Sequence, residues 1–304
     1  MRFPVFKAFA AATAYVATHV LVLLKILWLP ALLLTGALIY AMPGYLEAAM
    51  AAAGLESNPD PAKAMAVFKG LASTGGLLLL ANLVLYPMMM AGVLRHVVRG
   101  EAPSLPFYLN LGGDELRLVL TIILIAIMVG LVYLVGVVGL VALSAAFVAV
   151  SPKIGGILAA VAGLAGIGAL VWFALRLSMS LPATISVRKI GVAESWRVTK
   201  GAALRLLGYW LLWAVVLMIA GALYLALLTP EFFGAMGEMM KAAHDPSATA
   251  EIEHRMMQIQ LAKWDRTQPG FWIFAGGNYL GTIAYLGVTY SALGVAYRYL
   301  AEKA

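Results

Sequence analysis

Six stretches of this 304-residue chain are as long and as apolar as a membrane-spanning helix. A helix needs about 20 mostly apolar residues to cross the hydrocarbon core of a bilayer, because each residue adds only about 1.5 Å of length. The stretches lie at about 17–41, 71–98, 115–150, 154–181, 204–228 and 270–299. They predict an all-α, polytopic helical membrane protein with six spans in a single integral membrane domain, 1–304.

Composition favours the same class and excludes others. Hydrophobic residues make up 63% of the chain and charged residues 12%, whereas soluble domains have roughly 45–50% and 25%. The chain has no cysteine, which excludes disulfides and thiolate metal sites. Outside the apolar stretches no segment is long enough for a nucleic-acid-binding domain. We therefore expect the net charge of +7 to favour contact with anionic lipid headgroups at the membrane surface.

The charges are distributed unequally between the two sets of span ends. One set carries twelve Lys and Arg against five Asp and Glu, whereas the opposite set carries seven against nine, in 42–70, 151–153 and 229–269. Positively charged loops stay on the cytoplasmic side of a bacterial membrane. We therefore expect a bacterial inner-membrane protein with both termini in the cytoplasm and with 229–269 as an extracytoplasmic amphipathic loop.

The segments on the basic side resemble one another. A short, partly basic amphipathic stretch precedes the first, third and fifth spans, at 2–18, 103–117 and 192–205, and the phrase LRL opens two of these spans. This pattern indicates a threefold internal repeat of an interfacial helix, an outward span and an inward span. Chance similarity between spans rich in alanine and leucine is the alternative.

A family resemblance rests on the stretch before the fifth span. Pro182 is followed by SWRVTKG at 195–201 and by RLLG at 205–208, which opens a long apolar run. This arrangement resembles the membrane domain attached to some bacterial glycerophosphodiester phosphodiesterases, and related stand-alone polytopic membrane proteins of unknown function. The resemblance implies a membrane domain without catalytic residues, because the hydrolase in such fusions is a separate soluble domain.

Cations of these basic stretches are candidates for contact with lipid headgroups. On a helix, Glu194, Arg197 and Lys200 lie one turn apart and form a charged stripe at the depth of the lipid phosphates. The candidate residues are Arg117, Arg197, Lys200 and Arg205. The stripe either fixes the topology or recognises an anionic lipid. A nucleotide-type phosphate loop is not supported, because a single glycine cannot supply its row of backbone donors.

Four polar residues interrupt the spans and are candidates for a site inside the membrane: Lys25, Asn82, Arg176 and Asn278. Ionisable groups in hydrocarbon are costly, and they often mark the path of a solute. Lys25 and Arg176 are also close enough to the basic ends of their spans to extend toward the headgroups. No span core contains Asp or Glu, which argues against a proton-driven carrier.

The loop 229–269 is the only sizeable polar segment. Methionines together with His244 and His254 suggest copper(I), and Glu251 and His254 have the spacing of two ligands on one helix face. The alternative is a pair of amphipathic surface helices divided near Asp245. Two histidines are few for such a site, so we expect neither a metal nor another cofactor.

The sequence contains no spacing pattern for a nucleophile, a base and an orienting group, and we expect no enzyme. The favoured hypothesis is a non-enzymatic protein that binds or handles anionic phospholipid through basic interfacial helices. The alternative is a transporter or channel for a small or hydrophobic solute. Membrane phospholipids are the expected partners. Gly277 and Gly281 are spaced for close helix packing, either within the chain or in a homo-oligomer or membrane complex.

Overall fold

The structure, a computed structural model, describes residues 3–55, 60–103, 108–150, 152–242 and 245–302. Within these ranges the regular structure is helical, without a β-strand. Six of the described helical segments are long and apolar enough to cross a membrane: Val20–Ala52, Pro61–Arg99, Gly113–Phe147, Gly155–Val187, Ala203–Leu228 and Phe271–Ala301. The predicted class, an all-α polytopic membrane protein, is confirmed.

Most of the helices follow one another with short connections. They are α1 (Val5–Thr18), α2 (Val20–Leu55), α3 (Pro61–Gly70), α4 (Gly76–Arg99), α5 (Gly113–Val150), α6 (Pro152–Leu177), α7 (Ser180–Val187), α8 (Val192–Val198), α9 (Ala203–Leu228), α10 (Glu231–Lys241), α11 (Pro246–Lys263) and α12 (Phe271–Ala301). A single π-helical turn, Leu71–Gly75, joins α3 to α4. The second span is therefore continuous with a preceding helix that the hydropathy pattern did not include.

The first membrane helix differs from the stretch expected at 17–41. α1 ends at Thr18, and His19 leaves the helical conformation with φ −113° before α2 begins. α2 then continues through Pro30 and Pro43 to Leu55. Prolines are tolerated in membrane helices because neighbouring groups satisfy the freed backbone atoms. At about 1.5 Å per residue α2 is about 54 Å long, so it extends beyond the hydrocarbon core.

The main buried core lies toward one end of the bundle. α4 is buried over 87–95, α12 is buried mainly in its C-terminal half, and α9 buries Leu206, Tyr209 and Trp213 in its first three turns. The hydroxyl of Tyr209 donates to the carbonyl of Ala292 at 2.7 Å and joins α9 to α12. The arginines of α4 and α5 lie at this same end, which we call the basic side.

α5 and α6 form a helical hairpin that is packed against the rest of the protein mainly at its basic end. Leu118 and Thr121 are buried near the start of α5, and Leu175 and Leu177 near the end of α6. In the most apolar 18-residue stretch of each span, only 11% of the residues are buried in the span of α5 and 0% in the span of α6. The remaining surface of the hairpin is apolar and exposed, as is typical of a surface that faces lipid.

The loop 229–269 contains α10 and α11, which lie side by side. Glu231 and Lys263 pair at 3.1 Å, and Glu238 pairs with Arg255. Asp245 caps α11, and the hydrogen bonds it accepts from Ser247 and Ala248 hold the pKa of its carboxyl below the usual range. Beyond α11, the buried Trp264 packs with Leu46, Phe271 and Ala275 in a second, smaller core.

Short helices precede two of the three membrane hairpins, namely α1 before α2 and α8 before α9. The corresponding stretch before α5, expected at 103–117, becomes helical only at Gly113, and 104–107 lie outside the described residues. The threefold repeat stays a prediction.

Candidate functional site

Two arginines one turn apart occupy the C-terminal end of α4. The helix ends because Gly100 adopts a left-handed conformation with φ +70°, which glycine reaches without strain. The amide of Gly100 then donates to the carbonyl of His96 at 3.1 Å. Arg95 and Arg99 project toward the same neighbour, because residues four apart share a helix face.

That neighbour is the first turn of α5, which carries two carboxylates. Asp114 and Glu115 occupy this turn, where the partial positive charge of the helix N-terminus stabilises anions. The amide of Gly112 also donates to Oε2 of Glu115 at 2.9 Å. The local sequence of α5 therefore places two negative charges opposite the two arginines of α4.

Arg95 forms the centre of the resulting charge network. Its Nε donates to Oδ2 of Asp114 and its Nη2 donates to Oε2 of Glu115, both at 2.9 Å. Its Nη1 also contacts the hydroxyl of Tyr108, and burial raises the pKa of that phenol. Arg95, Asp114 and Glu115 are all buried. Buried charges are tolerated when they are paired and hydrogen-bonded in this way, so the network fastens α4 to α5.

Asp114 is shared by three guanidinium groups. Besides Arg95, Nη2 of Arg99 donates to Oδ2 at 2.6 Å, and Nη1 of Arg117 donates to Oδ1 at 2.9 Å. Arg99 also donates to Oε2 of Glu101 at 3.2 Å. Asp114 is therefore the buried carboxylate shared by three arginines, and Glu101 lies at the exposed edge of the network.

A fourth arginine reaches this region from the end of α7. Arg188 has φ +54°, an uncommon value for a residue other than glycine. The turn is held by the amide of Gly191, which donates to Oγ1 of Thr184 at 2.9 Å, and by Thr121 Oγ1, 3.0 Å from the same Thr184 atom. A Cβ on Gly191 would lie 2.3 Å from the amide nitrogen of Thr184. The turn therefore fixes the position of Arg188.

These elements enclose a cavity of about 700 Å³ on the basic side, which we call the arginine cavity. Its charged lining residues are Arg95, Arg99, Arg117, Arg188, Glu101 and Asp114. The side chains of Arg117 and Arg188 are 39% and 68% exposed, and Nη2 of Arg188 lies 3.7 Å from Oε1 of Glu101. Arginine binds phosphate and carboxylate oxygens with two parallel hydrogen bonds. The accessible cations of the cavity are suited to an anionic group.

The other three candidate headgroup residues lie at α8 and the start of α9. α8 ends at Val198, so the helical stripe expected from Glu194 to Lys200 is not formed. Arg197 is paired with Glu194, with Nη2 at 2.7 Å from Oε1. Lys200 is exposed in the turn that precedes Gly201, whose φ is +73°. Arg205 is half-buried in the first turn of α9.

The SWRVT stretch has a structural role that the sequence did not reveal. Ser195 Oγ donates to the carbonyl of Arg176 at 2.7 Å. Thr199 Oγ1 donates to the carbonyl of Ser195 at 2.7 Å and lies 3.3 Å from that of Arg176. This carbonyl lies at the end of α6, where no later helical turn can satisfy it. Trp196 packs over the guanidinium of Arg176, 4.6 Å from its Cζ. The stretch therefore fastens α8 to the end of α6.

The four intramembrane candidates do not converge on one place. Asn82 and Asn278 line a second cavity, of about 630 Å³, formed by α2, α4, α9 and α12. Arg176 is buried beneath Trp196, and Lys25 lies on the exposed surface of α2 in its second turn. The structure brings together two of the four residues and places the other two outside this cavity.

Two further sequence features have a defined place. A Cβ on Gly277 would meet Leu228, and one on Gly281 would meet Tyr224, so both glycines let α12 approach α9 within the chain. His254 is exposed on α11, and His244 lies outside the described residues. Among the residues that the structure describes, no group of three His, Cys, Asp or Glu is arranged to hold a metal ion.

The fold and the arginine cavity together define a polytopic helical membrane protein with a positively charged site at one end of its bundle. No family model, curated protein or solved structure matches the chain. The resemblance of 195–208 to the membrane domain of glycerophosphodiester phosphodiesterases stays a prediction.

Proposed function

We propose that this membrane protein binds anionic phospholipid without catalysing a reaction, and that the arginine cavity holds the lipid phosphate. The arginine cavity carries the proposal, because it exposes Arg117 and Arg188 at the end of membrane helices. The ends of membrane-spanning helices lie at the depth of the lipid phosphates in a bilayer. The positive-inside pattern gives the cytoplasmic leaflet of a bacterial inner membrane as the source of the lipid.

The four arginines of the cavity have two different roles in this proposal. Arg95 and Arg99 donate to the buried carboxylates of α5 and build the wall. Arg117 has one carboxylate bond, and Arg188 has one distant partner, so both retain donors for a phosphate. A left-handed residue such as Arg188 would be less strained as glycine. The guanidinium is therefore what Arg188 contributes, and glycine at this position removes it without disturbing the turn.

The test uses the full chain in maltoside micelles with equal amounts of phosphatidylglycerol and phosphatidylcholine, followed by native mass spectrometry. We expect wild-type protein to retain phosphatidylglycerol preferentially. Arg117→Gln combined with Arg188→Gly should reduce this preference about tenfold, because hydrogen bonds to charged groups each contribute roughly 1.5–3 kcal/mol. Arg117→Gln keeps a donor for Asp114.

The matched control removes the same charge from the other basic stretch, with Lys200→Ala and Arg205→Ala. This control should keep the lipid preference of the wild type. Unchanged binding in the cavity variant would contradict the proposal. Loss of binding in the control alone would assign the lipid to the α8–α9 turn.

Two further considerations bear on the proposal. The resemblance described above is to domains that accompany enzymes of phosphodiester chemistry, which agrees with a phosphate ligand.

The alternative function, transport of a solute, requires a path lined by the polar residues of the spans. Asn82 and Asn278 share a cavity, but Lys25 and Arg176 do not line it, so binding is the better-supported function.

A further inference from the structure

The second cavity lies within the membrane-spanning part of the protein and differs chemically from the arginine cavity. Its walls are mainly apolar, with Leu34 and Leu38 of α2, Val216 and Leu217 of α9, and Val288 of α12. None of its lining residues is an Asp, Glu, Lys or Arg. At about 630 Å³ it has the size of cavities that enclose small organic ligands. We call it the membrane cavity.

Six polar side chains of the membrane cavity retain unused hydrogen-bonding capacity, and one of them is Thr282, whose hydroxyl forms no hydrogen bond within the described residues. Nδ2 of Asn82 donates to the carbonyl of Leu78 at 2.8 Å, and Nδ2 of Asn278 donates to that of Phe274 at 2.9 Å. Within the described residues, neither Oδ1 accepts a hydrogen bond. The hydroxyls of three lining tyrosines also form none there: Tyr86, Tyr224 and Tyr285.

This arrangement is unfavourable in hydrocarbon unless something else supplies a partner. A polar group without a hydrogen bond is strongly unfavourable where no water is present. Two amide oxygens in one apolar cavity require a hydrogen-bond donor. The free groups therefore indicate a ligand that brings a hydroxyl into an otherwise apolar space.

The membrane cavity is accessible from the lipid side. Val216 and Tyr285 line it and are 39% and 50% exposed. α9 and α12 approach each other closely at Gly277 and Gly281, which lie toward the end remote from the basic side. A lipophilic molecule dissolved in the bilayer can therefore enter sideways without crossing a charged surface.

We propose that the membrane cavity binds a neutral lipophilic alcohol, whose hydroxyl donates to Asn82 or Asn278 and whose hydrocarbon chain lies against α2 and α9. Neutrality follows from the uncharged lining, because a carboxylate or phosphate there would be buried without a counter-ion. This site is separate from the arginine cavity, and its ligand is neutral, whereas the ligand proposed for the arginine cavity is anionic.

The test measures saturable binding of radiolabelled oleyl alcohol to the full chain in maltoside micelles, with the methyl ether of oleyl alcohol as competitor. The ether keeps the hydrocarbon chain and the oxygen but has no donor. We expect it to compete at least about fivefold less well than unlabelled alcohol. Asn82→Leu combined with Asn278→Leu should weaken alcohol binding about tenfold.

A second pair of variants tests the place of binding without removing a polar group. A Cβ at Gly221, which lines the cavity, or at Gly208, which does not, meets no atom within 4 Å. Gly221→Leu should fill the cavity and abolish saturable binding, whereas Gly208→Leu should bind as the wild type does.

Three results would overturn the proposal. One is equal competition by the alcohol and its ether, and another is unchanged binding in Gly221→Leu. The third is displacement of the alcohol by oleate or phosphatidylglycerol as effectively as by unlabelled alcohol. Arg117→Gln with Arg188→Gly should leave alcohol binding unchanged. This separates a failure of the membrane cavity from a failure of the arginine cavity.

Discussion

Asp114 is the carboxylate on which three guanidinium groups converge, so Asp114→Asn tests the charge network directly. The aspartate accepts hydrogen bonds at 2.9, 2.6 and 2.9 Å from Arg95, Arg99 and Arg117. The amide of Asn keeps one acceptor oxygen but carries no negative charge, and its remaining bonds are still donated by charged guanidinium groups. The variant therefore removes the attraction of one anion for three cations, together with one of the two acceptor oxygens.

The loss in the free energy of unfolding depends on how deeply each of the three arginines is buried. The side chains of Arg95 and Arg99 are 9% and 14% exposed, whereas that of Arg117 is 39% exposed and is better screened by solvent. The asparagine also turns a donating NH₂ group toward at least one arginine. We expect a loss of about 3 kcal/mol, at the lower end of the roughly 3–5 kcal/mol found when one partner of a buried ion pair is removed.

The measurement is reversible unfolding of the purified chain in mixed micelles of maltoside and increasing dodecyl sulfate, followed by near-ultraviolet circular dichroism. Glu101→Gln is the matched control, because it neutralises a carboxylate of the same network that is 45% exposed. It should cost less than about 1 kcal/mol. A loss below about 1 kcal/mol for Asp114→Asn, or equal losses for both variants, would refute the assignment of Asp114 as the centre of the network.

Three further predictions concern single positions. Gly191→Ala places a Cβ against the backbone of α7 and should cost about 1–3 kcal/mol in the same unfolding assay, whereas Gly208→Ala, with open space at its Cβ, should not. Because the chain lacks cysteine, Lys200→Cys and Ala250→Cys can be labelled separately with an impermeant maleimide. We expect Lys200→Cys to react only in inverted vesicles and Ala250→Cys only in right-side-out vesicles. The lowered pKa of Asp245 means that its cap stabilises α11 above the ordinary value of 3.8 and is lost as the pH falls through the lower folded value. The difference in hydrogen-exchange protection of α11 between wild type and Asp245→Ala should therefore disappear at strongly acidic pH.

The membrane helices could be predicted from hydropathy because bilayer thickness sets their length. Their burial could not. α5 contains the most apolar window, with mean hydropathy 3.1, yet only 11% of that window is buried, whereas the window of α12 has mean hydropathy 1.2 and is 50% buried. Lipid is as apolar as a protein core, so a hydrophobic side chain does not reveal which of the two it contacts.

The candidate site was predictable only in part. Arg117 was singled out from the sequence, but Arg95, Arg99, Asp114 and Glu115 counted only as charges in the topology argument. The signal was present, since an arginine pair four residues apart ends one span and an Asp-Glu pair opens the next. Their pairing depends on the path of 100–112, which no local pattern specifies. The stripe from Glu194 to Lys200 failed for a local reason, because α8 ends at Val198 and the chain turns before Gly201.

The placement of the main core toward the basic side gives the protein different outlines in the two leaflets of a bilayer. In one leaflet, α4, α5, α7 and α12 pack together around the main apolar core and the charge network of Arg95. In the other, the α5–α6 hairpin is almost entirely exposed, so acyl chains surround it on most sides. The length of the lipid boundary, and hence the number of lipids ordered by the protein, is therefore larger in that leaflet than in the one that faces the arginine cavity.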